Sequence, residues 1–352
     1  KLFITSRPTR KETYRVTVRL QKKLQNKYKK KQRRKIMSKY LITGGAGFIG
    51  SHLCKELLDL DHEVICLDNF YNGNYNNIRG LFNYNKFDFI EGDILDASLM
   101  REITADVDHI FHLAAQIHVE KSIIRPEETL DINVRGTKNL LDICKTNRSI
   151  SMTLASSAEV YGESPGEHTE LSPCRPQSPY AASKVAAEAL CLSYFYTYGT
   201  DVRILRNFNT FGPRQKSSGY GSVIAIFTKR ALAGEPLIVY GDGTQTRDYQ
   251  HIEDVVQGYI TSQNIPKGEI VNTGVGKDHT INSIAKLVIE YSNSKSSIVH
   301  DDPRPGEVKK LLSNVDKIKE YGHVNSLTLE EGLKKYIEWV IKYDLDSLGI
   351  MK

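Results

Sequence analysis

The stretch Thr43-Gly44-Gly45-Ala46-Gly47-Phe48-Ile49-Gly50 lies between a short apolar run at 39–43 and a helical pattern at 48–60. A glycine-rich turn between a strand and a helix lets backbone N–H groups approach a pyrophosphate at the positive end of the helix. Both G-x-G-x-x-G and G-x-x-G-x-x-G can be read in it. The stretch therefore predicts a dinucleotide-binding strand–turn–helix, with a flavin site or a purely structural turn as the alternatives.

Around this turn the chain alternates short apolar runs with longer helical patterns, which is typical of a parallel sheet wrapped by helices. The predicted strands are 39–43, 63–67, 87–90, 108–113, 150–155 and 202–206, and the predicted helices include 48–60, 126–146 and 179–198. These spacings predict an α/β, Rossmann-type doubly wound sheet with a smaller α/β C-terminal domain. The predicted domains are a basic extension at 1–36, a dinucleotide-binding domain at 37–205 and a substrate-binding domain at 206–352.

Composition narrows the class of protein. The chain has 352 residues, enough for a sizeable core, and its five cysteines form no C-x-x-C or zinc-like spacing. No run of 18 apolar residues could span a membrane. We therefore expect a reduced cytoplasmic protein without a metal site or a membrane partner.

The net charge of +6 conceals an uneven distribution, because residues 1–36 hold 15 of the 48 Lys and Arg residues and one acid, Glu12. Such a basic segment could contact a nucleic acid or an anionic membrane. The favoured interpretation is a disordered extension, or sequence translated from upstream of the natural start, because Met37 leads straight into the first predicted strand. Nucleic acid is accordingly not an expected partner of the remaining, acidic body.

Asp68 closes the second predicted strand, 18 residues after Gly50. A carboxylate there can hydrogen-bond the ribose hydroxyls of an adenosine, and it would repel a 2′-phosphate. The position predicts NAD rather than NADP. Asp93 ends the third predicted strand and could reach the adenine, although an ordinary turn aspartate is nearly as good an interpretation.

Tyr180-Ala181-Ala182-Ser183-Lys184 places a phenol and an ammonium four residues apart, on one helix face. Ionising a tyrosine near neutrality needs about three pKa units of help, roughly 4 kcal/mol. A cation about 4 Å away supplies about that much at an effective dielectric of about 20. Lys184 is therefore predicted to make Tyr180 a usable base, and an ordinary amphipathic helix is the alternative.

Several motifs follow the turn in a fixed order: His112-Leu113-Ala114-Ala115, Ser156-Ser157, Val160-Tyr161-Gly162, the Tyr180–Lys184 stretch, Arg206-Asn207-Phe208-Asn209, Phe211-Gly212-Pro213-Arg214, Gly241 to Asp248, and Arg304-Pro305-Gly306-Glu307. In this order the chain, from about 39 to 345, resembles the extended short-chain dehydrogenase/reductase family of nucleotide-sugar enzymes. Among these it is most similar to the UDP-glucose and UDP-N-acetylglucosamine 4-epimerases. For His112 the preferred interpretation is a core histidine with hydrogen-bond partners.

The resemblance implies tightly bound NAD and a reaction that oxidises the sugar at C4. Tyr180 would take the proton of the O4 hydroxyl, Lys184 would hold the nicotinamide ribose and lower the pKa of Tyr180, and Ser157 would hydrogen-bond O4. The cofactor-binding residues implied are Gly44, Gly47, Phe48, Ile49, Gly50, Asp68, Asn69, Asp93, Ile94, Leu113, Ala114, Ala115, Tyr180 and Lys184.

The residues after Ser157 separate the reaction classes. Nucleotide-sugar 4,6-dehydratases resemble one another in an Asp and then a Glu here, whereas this chain has Ala158 and Glu159. Because a methyl group cannot donate a proton, Ala158 favours a 4-epimerase. The alternatives are a 4,6-dehydratase of the dTDP-glucose type and then a UDP-glucuronate decarboxylase, in which Glu159 would be catalytic; the dehydratase-like run His118–Ser122 keeps the first of them open.

The expected substrate is a nucleotide-diphosphate sugar, most simply a UDP-sugar. Arg247 and Arg304 would contact its diphosphate and nucleotide, since a planar guanidinium can bind two phosphate oxygens. Asn209 would hydrogen-bond the same diphosphate. The helices at 126–146 and 179–198 resemble those through which the family pairs, so a homodimer is expected.

Overall fold

The computed structural model describes residues 37–164, 166–217, 222–303 and 308–343. Its strands are β1 (Lys39–Thr43), β2 (Glu63–Asp68), β3 (Phe87–Glu91), β4 (His109–His112), β5 (Ser151–Ser157), β6 (Val202–Asn207), β7 (Asn209–Phe211), β8 (Leu237–Tyr240), β9 (Thr246–His251), β10 (Ile270–Thr273), β11 (Asp278–Thr280), β12 (Ile298–Asp301) and β13 (Lys310–Leu311). The six predicted strands are confirmed to within two residues at each end.

The helices are α1 (Phe48–Asp59), α2 (Tyr75–Ile78), α3 (Ala97–Ile103), α4 (Val119–Ile124), α5 (Pro126–Leu130), α6 (Gly136–Thr146), α7 (Pro179–Tyr198), α8 (Val223–Leu232), α9 (Ile252–Ser262), α10 (Ile281–Tyr291), α11 (Asp316–Glu320) and α12 (Leu329–Tyr343). Short 3₁₀ segments lie at Arg79–Asn83 and Ala158–Val160, and a π segment at Asp131–Arg135. No helix in the described ranges is both long and apolar enough to cross a membrane.

A seven-stranded parallel sheet has the order β10-β6-β5-β4-β1-β2-β3. Apolar side chains cover both faces, as a parallel sheet requires. On one face Leu53 and Leu57 of α1 pack in a cluster with Val255 and Tyr259 of α9. On the other, α6 and α7 contribute Leu140, Leu141, Ala187 and Cys191. The predicted doubly wound fold is confirmed.

The strands beyond β6 build smaller sheets. β9 pairs with β7, β11 and β13, and β8 pairs with β12. A separate apolar cluster joins α8, α10 and α12 over these strands, with Phe227, Ile284 and Leu333 among its members. α9 and β10, however, return to the large sheet. The division at 205/206 stays a prediction, and the extension at 1–36 lies outside the described residues.

The predicted helix at 126–146 is divided by the π segment. Asn133, buried within it, accepts a hydrogen bond from the backbone N–H of Gln116 at 2.8 Å and donates to the Gln116 carbonyl at 2.9 Å. It also donates to the hydroxyl of Ser183 on α7 at 2.9 Å. A π segment of this kind is frequent at functional sites, and here it ties the loop after β4 to the helix that carries Tyr180.

Candidate active site

The glycine turn is held against the end of β2. The N–H groups of Gly44 and Gly45 both donate to the carbonyl of Leu67, at 2.8 and 3.2 Å. Gly44 has a φ of +71°. α1 begins after Gly47, which brings no side chain to cap the helix, and its first turn contains no acid. The exposed N–H groups and the helix dipole therefore fit the pyrophosphate of a dinucleotide.

Asp68 lies beside this turn and is buried. Its carboxylate accepts the N–H of Ala46 at 3.0 Å and that of Phe70 at 2.8 Å. Burial raises the pKa of Asp68, and the two backbone hydrogen bonds oppose that rise. Asn69, the next residue, donates to Asp93 at 2.9 Å, so the ends of β2 and β3 are joined at the side of the cleft where an adenosine is expected.

One cleft of about 670 Å³ runs along the carboxyl ends of the large sheet. It is lined by every predicted cofactor-binding residue, by the four predicted catalytic residues, and by Asn209 and Arg247. Ligands of open α/β sheets bind at this edge. Arg304 lies outside the described residues, so its expected place at the substrate stays a prediction.

The helix that carries Tyr180 starts where its sequence dictates. Ser178 caps α7 by accepting the N–H of Ala181 at 3.1 Å, and Pro179 occupies the first turn, where a missing N–H costs nothing. The N–H of Tyr180 donates to the hydroxyl of Ser122 at 3.0 Å. The helix ends at Gly199 with φ +70°. Tyr180 therefore enters the cleft from a fully capped first turn.

Burial dominates the acidity of Tyr180. It raises the pKa of the phenol to about 12, against a hydrogen bond with Ser157 that lowers it, and the charge of Glu159 raises it further. The ammonium of Lys184 donates to the carbonyl of Ala155 at 2.9 Å and lies 6.0 Å from the centroid of the Tyr180 ring. Burial, Ser157 and Glu159 thus set the pKa of Tyr180 in this structure, and its lowering by Lys184 stays a prediction.

Ser157 ends β5 and accepts the N–H of Glu159 at 3.2 Å, which starts the 3₁₀ turn at 158–160. This turn sends adjacent side chains in different directions. Ala158 is buried in an apolar cluster with Val160, Tyr161 and Phe208. Glu159 lines the cleft, where burial raises the pKa of its carboxyl and the charge of Arg247 opposes that rise.

At the other end of the cleft, Asn209 starts β7 and Arg247 lies on β9. The guanidinium of Arg247 donates to the carbonyl of Thr246 at 2.9 Å. Both strands belong to one small sheet, in which Asn209 is in register with Tyr249. The fold thus brings together two residues that lie far apart in the sequence.

Other cleft residues were missed by the sequence analysis. Asn207 donates to the hydroxyl of Tyr259 at 2.7 Å and accepts from Thr273 at 2.9 Å, which joins β6, α9 and β10. Tyr71 donates to Glu128 at 2.6 Å and accepts from Lys121. The motif around Asn207 was visible in the sequence. The contact of Tyr71 was not, because it joins the loop after β2 to the segment after β4, and these come close only through the order of the strands in the sheet.

His112 behaves as expected of a core histidine. It is buried and hydrogen-bonds Thr43 at 2.8 Å and Thr137 at 3.0 Å through its two ring nitrogens. Burial lowers the pKa of His112 to about 3. It is therefore neutral near pH 7 and joins β4 to both β1 and α6.

Comparisons with known proteins identify related enzymes. The chain is 36% identical over 321 residues to UDP-glucuronic acid decarboxylase 1 of Danio rerio, covering 87% of this chain and 73% of that protein. A crystal structure of UDP-glucose 4-epimerase from Thermotoga maritima with UDP-glucose matches 86% of this chain and 99% of its own, with a TM-score of 0.82 and 34% identity.

A dTDP-glucose 4,6-dehydratase of Streptomyces venezuelae, with NAD and TYD bound, matches 88% of this chain and 99% of its own, with a TM-score of 0.83 and 33% identity. The three relatives thus bear the names of three reactions. The model of the NAD-dependent epimerase/dehydratase family matches residues 40–274. The chain therefore belongs to this family of nucleotide-sugar enzymes, and its cofactor is NAD.

Proposed function

We propose that the protein is a nucleotide-sugar 4-epimerase that interconverts UDP-glucose and UDP-galactose, or their N-acetyl forms, through a transient 4-keto sugar. The observation that carries this proposal is the shortage of acids beside Tyr180. In the part of the chain that the structure describes, the cleft is lined by three carboxylates, Asp68, Asp93 and Glu159.

Two of these carboxylates lie at the far side of the cleft. Asp68 ends β2, three strands away from β5, which corresponds to about 14 Å at the usual strand spacing. Asp93 follows β3, one strand further. Only Glu159 is close to Ser157. A dehydratase needs both a proton donor and a base at this place in addition to Tyr180, whereas an epimerase needs no acid or base other than Tyr180.

The proposed roles of the side chains follow from their positions. Tyr180 removes the proton of the O4 hydroxyl and returns it, and Ser157, hydrogen-bonded to Tyr180, orients O4. Lys184 carries the positive charge next to them. Arg247 and Asn209 bind the diphosphate. NAD, held by the turn Gly44–Gly50 and by Asp68, supplies the acceptor for the C4 hydride.

The reaction proceeds only if the phenol of Tyr180 can ionise. Because burial raises the pKa of Tyr180 to about 12, positive charge must oppose it when the proton leaves. Lys184 is the cation on the same helix face. Ser157 contributes through a hydrogen bond that already lowers the pKa of the phenol.

A second candidate has a specific observation in its favour. Glu159 is a carboxyl whose pKa burial raises, inside the cleft, and such groups are suited to proton transfer. A 4,6-dehydratase or a UDP-glucuronate decarboxylase would use it as an acid or base. The similarity to the Danio rerio and Streptomyces venezuelae proteins keeps both lyase reactions as the alternatives.

The products decide between these reactions. Purified protein is incubated separately with UDP-glucose, UDP-N-acetylglucosamine, UDP-glucuronate and TDP-glucose, and products are analysed by NMR and mass spectrometry. Epimerisation leaves the mass unchanged and inverts the configuration at C4, which changes the proton coupling constants of the sugar in the NMR spectrum. Loss of water or of carbon dioxide from any of these substrates would replace the proposal by the corresponding lyase.

We further propose that the protein is a cytoplasmic homodimer that pairs through α7 and the helices α5 and α6. On α7 the exposed residues Ala182, Ala189 and Tyr196 recur at heptad spacing, and Tyr196 is 77% exposed. Ile123, Ile124 and Leu130 add exposed apolar surface next to this helix. Light scattering at micromolar concentration is expected to give the mass of a dimer, and a monomer would contradict the proposal.

A further inference from the structure

Glu188 lies on α7 one turn beyond Lys184, so Tyr180, Lys184 and Glu188 share one face of the helix. Its side chain is buried and accepts two hydrogen bonds from Arg206: Nε to Oε1 at 2.9 Å and Nη2 to Oε2 at 2.6 Å. Both side chains are 3% exposed. A bidentate guanidinium compensates the negative charge of a buried carboxylate.

Arg206, on β6, is itself fixed on its other side. Its guanidinium lies over the ring of Tyr161, 4.7 Å from the centroid, and its Nη2 lies 3.4 Å from the sulfur of Cys174. Favourable contact with an aromatic face stabilises a desolvated guanidinium. The Glu188–Arg206 pair is therefore a rigid element behind the cleft, and none of the steps proposed above uses it.

The pair completes a set of contacts between α7 and β5. Three consecutive residues of β5 each bond one residue of the shared face of α7. Ala155 accepts from Lys184 at 2.9 Å, the hydroxyl of Ser156 donates to Glu188 at 2.5 Å, and Ser157 is hydrogen-bonded to Tyr180. Glu188 thus holds β5 at Ser156. This residue lies between Ala155, which bonds Lys184, and Ser157, which is hydrogen-bonded to Tyr180.

Glu188 also acts on the charge of Lys184. Burial lowers the pKa of Lys184 to about 8, and the negative charge of Glu188 opposes this lowering. The other titratable groups that face Lys184 are Tyr180 on the same helix and His112 on β4. The pKa of His112 is about 3 and that of Tyr180 about 12, so both are neutral at pH 7. Of the two charged side chains behind the cleft, Glu188 is the one that opposes the lowering of the Lys184 pKa, and Arg206 is paired with it.

We propose that Glu188, held by Arg206, is a positioning residue of the active site, which keeps Lys184 an ammonium and holds Ser156 so that Ser157 meets Tyr180. The proposal rests on the roles given above to Tyr180, Lys184 and Ser157. It adds a third residue to the helix face that carries Tyr180 and Lys184. The function of this residue is to supply a negative charge that stabilises the buried ammonium of Lys184.

The test measures the charge of Lys184 directly. Protein carrying ¹³C-labelled lysine is titrated by NMR between pH 6 and pH 11, and the Lys184 resonance is assigned by its absence from Lys184→Met. Glu188→Gln leaves Arg206 buried without its partner and is expected to destabilise the fold. The main variant therefore combines Glu188→Met with Arg206→Met, because an apolar pair of similar volume can replace a buried ion pair.

In the double variant the midpoint of Lys184 is expected to fall, because the charge of Glu188 supports the ammonium. The fall should stay below about one pH unit, the scale of one opposite charge, because the positive charge of Arg206 is removed together with Glu188. The alkaline limb of kcat against pH should move in the same direction with KM little changed. Tyr194→Phe, which removes a hydrogen bond between α7 and Asp142 of 2.6 Å outside the site, is the control and should leave the midpoint where it was.

An unchanged midpoint in the folded double variant would overturn the proposal, as would an equal shift in Tyr194→Phe. The NMR titration needs no sugar. If none of the tested nucleotide sugars is epimerised, the proposed function fails while the charge of Lys184 is still measured, so the two failures are distinguished.

Discussion

The carbonyl oxygen of Gly44 occupies the space into which a side chain at Gly50 would project. A Cβ there would overlap that oxygen and would also lie 2.8 Å from the Cα of Gly45. Both contacts are with backbone, which cannot move aside as a flexible side chain can. The third glycine of the motif is thus required by close packing of the turn on its own helix, in addition to any contact with a pyrophosphate.

Gly50→Ala is therefore expected to open the turn and to reduce the NAD retained by the purified protein by more than about tenfold, the equivalent of about 1.4 kcal/mol. Bound NAD is measured after acid release. The matched control is Gly80→Ala, because a Cβ at Gly80 meets no atom within 4 Å. Full NAD content in Gly50→Ala would show that the turn tolerates the side chain, contrary to the prediction.

Tyr180→Phe removes the phenol that is proposed to exchange a proton with the sugar. Turnover is expected to fall by about 10²- to 10⁴-fold, the usual contribution of a general base. NAD content should stay at the wild-type level, because the glycine turn is untouched. Tyr198→Phe, in the last turn of the same helix, serves as the control. Near-normal turnover of Tyr180→Phe would remove this residue from the mechanism.

Glu159→Gln separates the epimerase from the lyases. The change keeps the shape of the side chain and abolishes its acid–base function. If the reaction is 4-epimerisation, kcat should fall by less than about tenfold, since no proton of the sugar depends on this carboxyl. If the reaction is a dehydration or a decarboxylation, the loss should reach about 10²- to 10⁴-fold. The rate is followed by NMR of the nucleotide sugar.

Buried histidines predict how stability depends on pH. Burial lowers the pKa values of His52 and His112 to about 3 in the folded protein. Unfolded histidine titrates at about 6.5, so between about pH 3 and pH 6.5 the unfolded chain binds more protons than the folded one. The free energy of unfolding should therefore decrease as the pH falls below about 6.5, by up to about 1.4 kcal/mol per pH unit for each histidine.

Urea unfolding at pH 7, 6 and 5 measures this dependence. In His52→Gln the free energy of unfolding should decrease less steeply with falling pH, by up to about 1.4 kcal/mol per pH unit. The same change at the exposed His300 is the control. Equal pH dependence in the two variants would refute the assignment to His52.

The parts of this structure that could be predicted from the sequence depend on residues close together in the chain. The apolar runs and the glycine turn determined β1, α1 and β2, and Ser178, Pro179 and Gly199 determined both ends of α7. In each case the decisive contacts lie within a few residues. Periodicity and capping are local properties, and a single sequence contains them.

What the sequence could not provide were contacts that depend on tertiary order. The segment Asp131–Arg135 was predicted as regular α-helix, but it is a π segment in which the side chain of Asn133 contacts Gln116 and Ser183. These contacts are tertiary, so the local sequence pattern does not reveal them. The acidity of Tyr180 was predicted from the spacing of Lys184, but desolvation depends on everything packed around the phenol. The Glu188–Arg206 pair joins residues 18 positions apart, and neither residue type suggests burial.

β10 is an edge strand of the large sheet, in which it pairs with β6. The segment at 252–273 that contains β10 also contains α9, which packs on α1. A fragment cut after residue 206 would contain the NAD turn and Tyr180 but would expose the full hydrogen-bonding edge of β6 and the apolar face of α1. Exposed edges and apolar faces promote aggregation. The segments before and after residue 206 therefore cannot be exchanged by simple cutting and joining: a chimaera that borrows a new C-terminal segment must keep residues 252–273 with the large sheet.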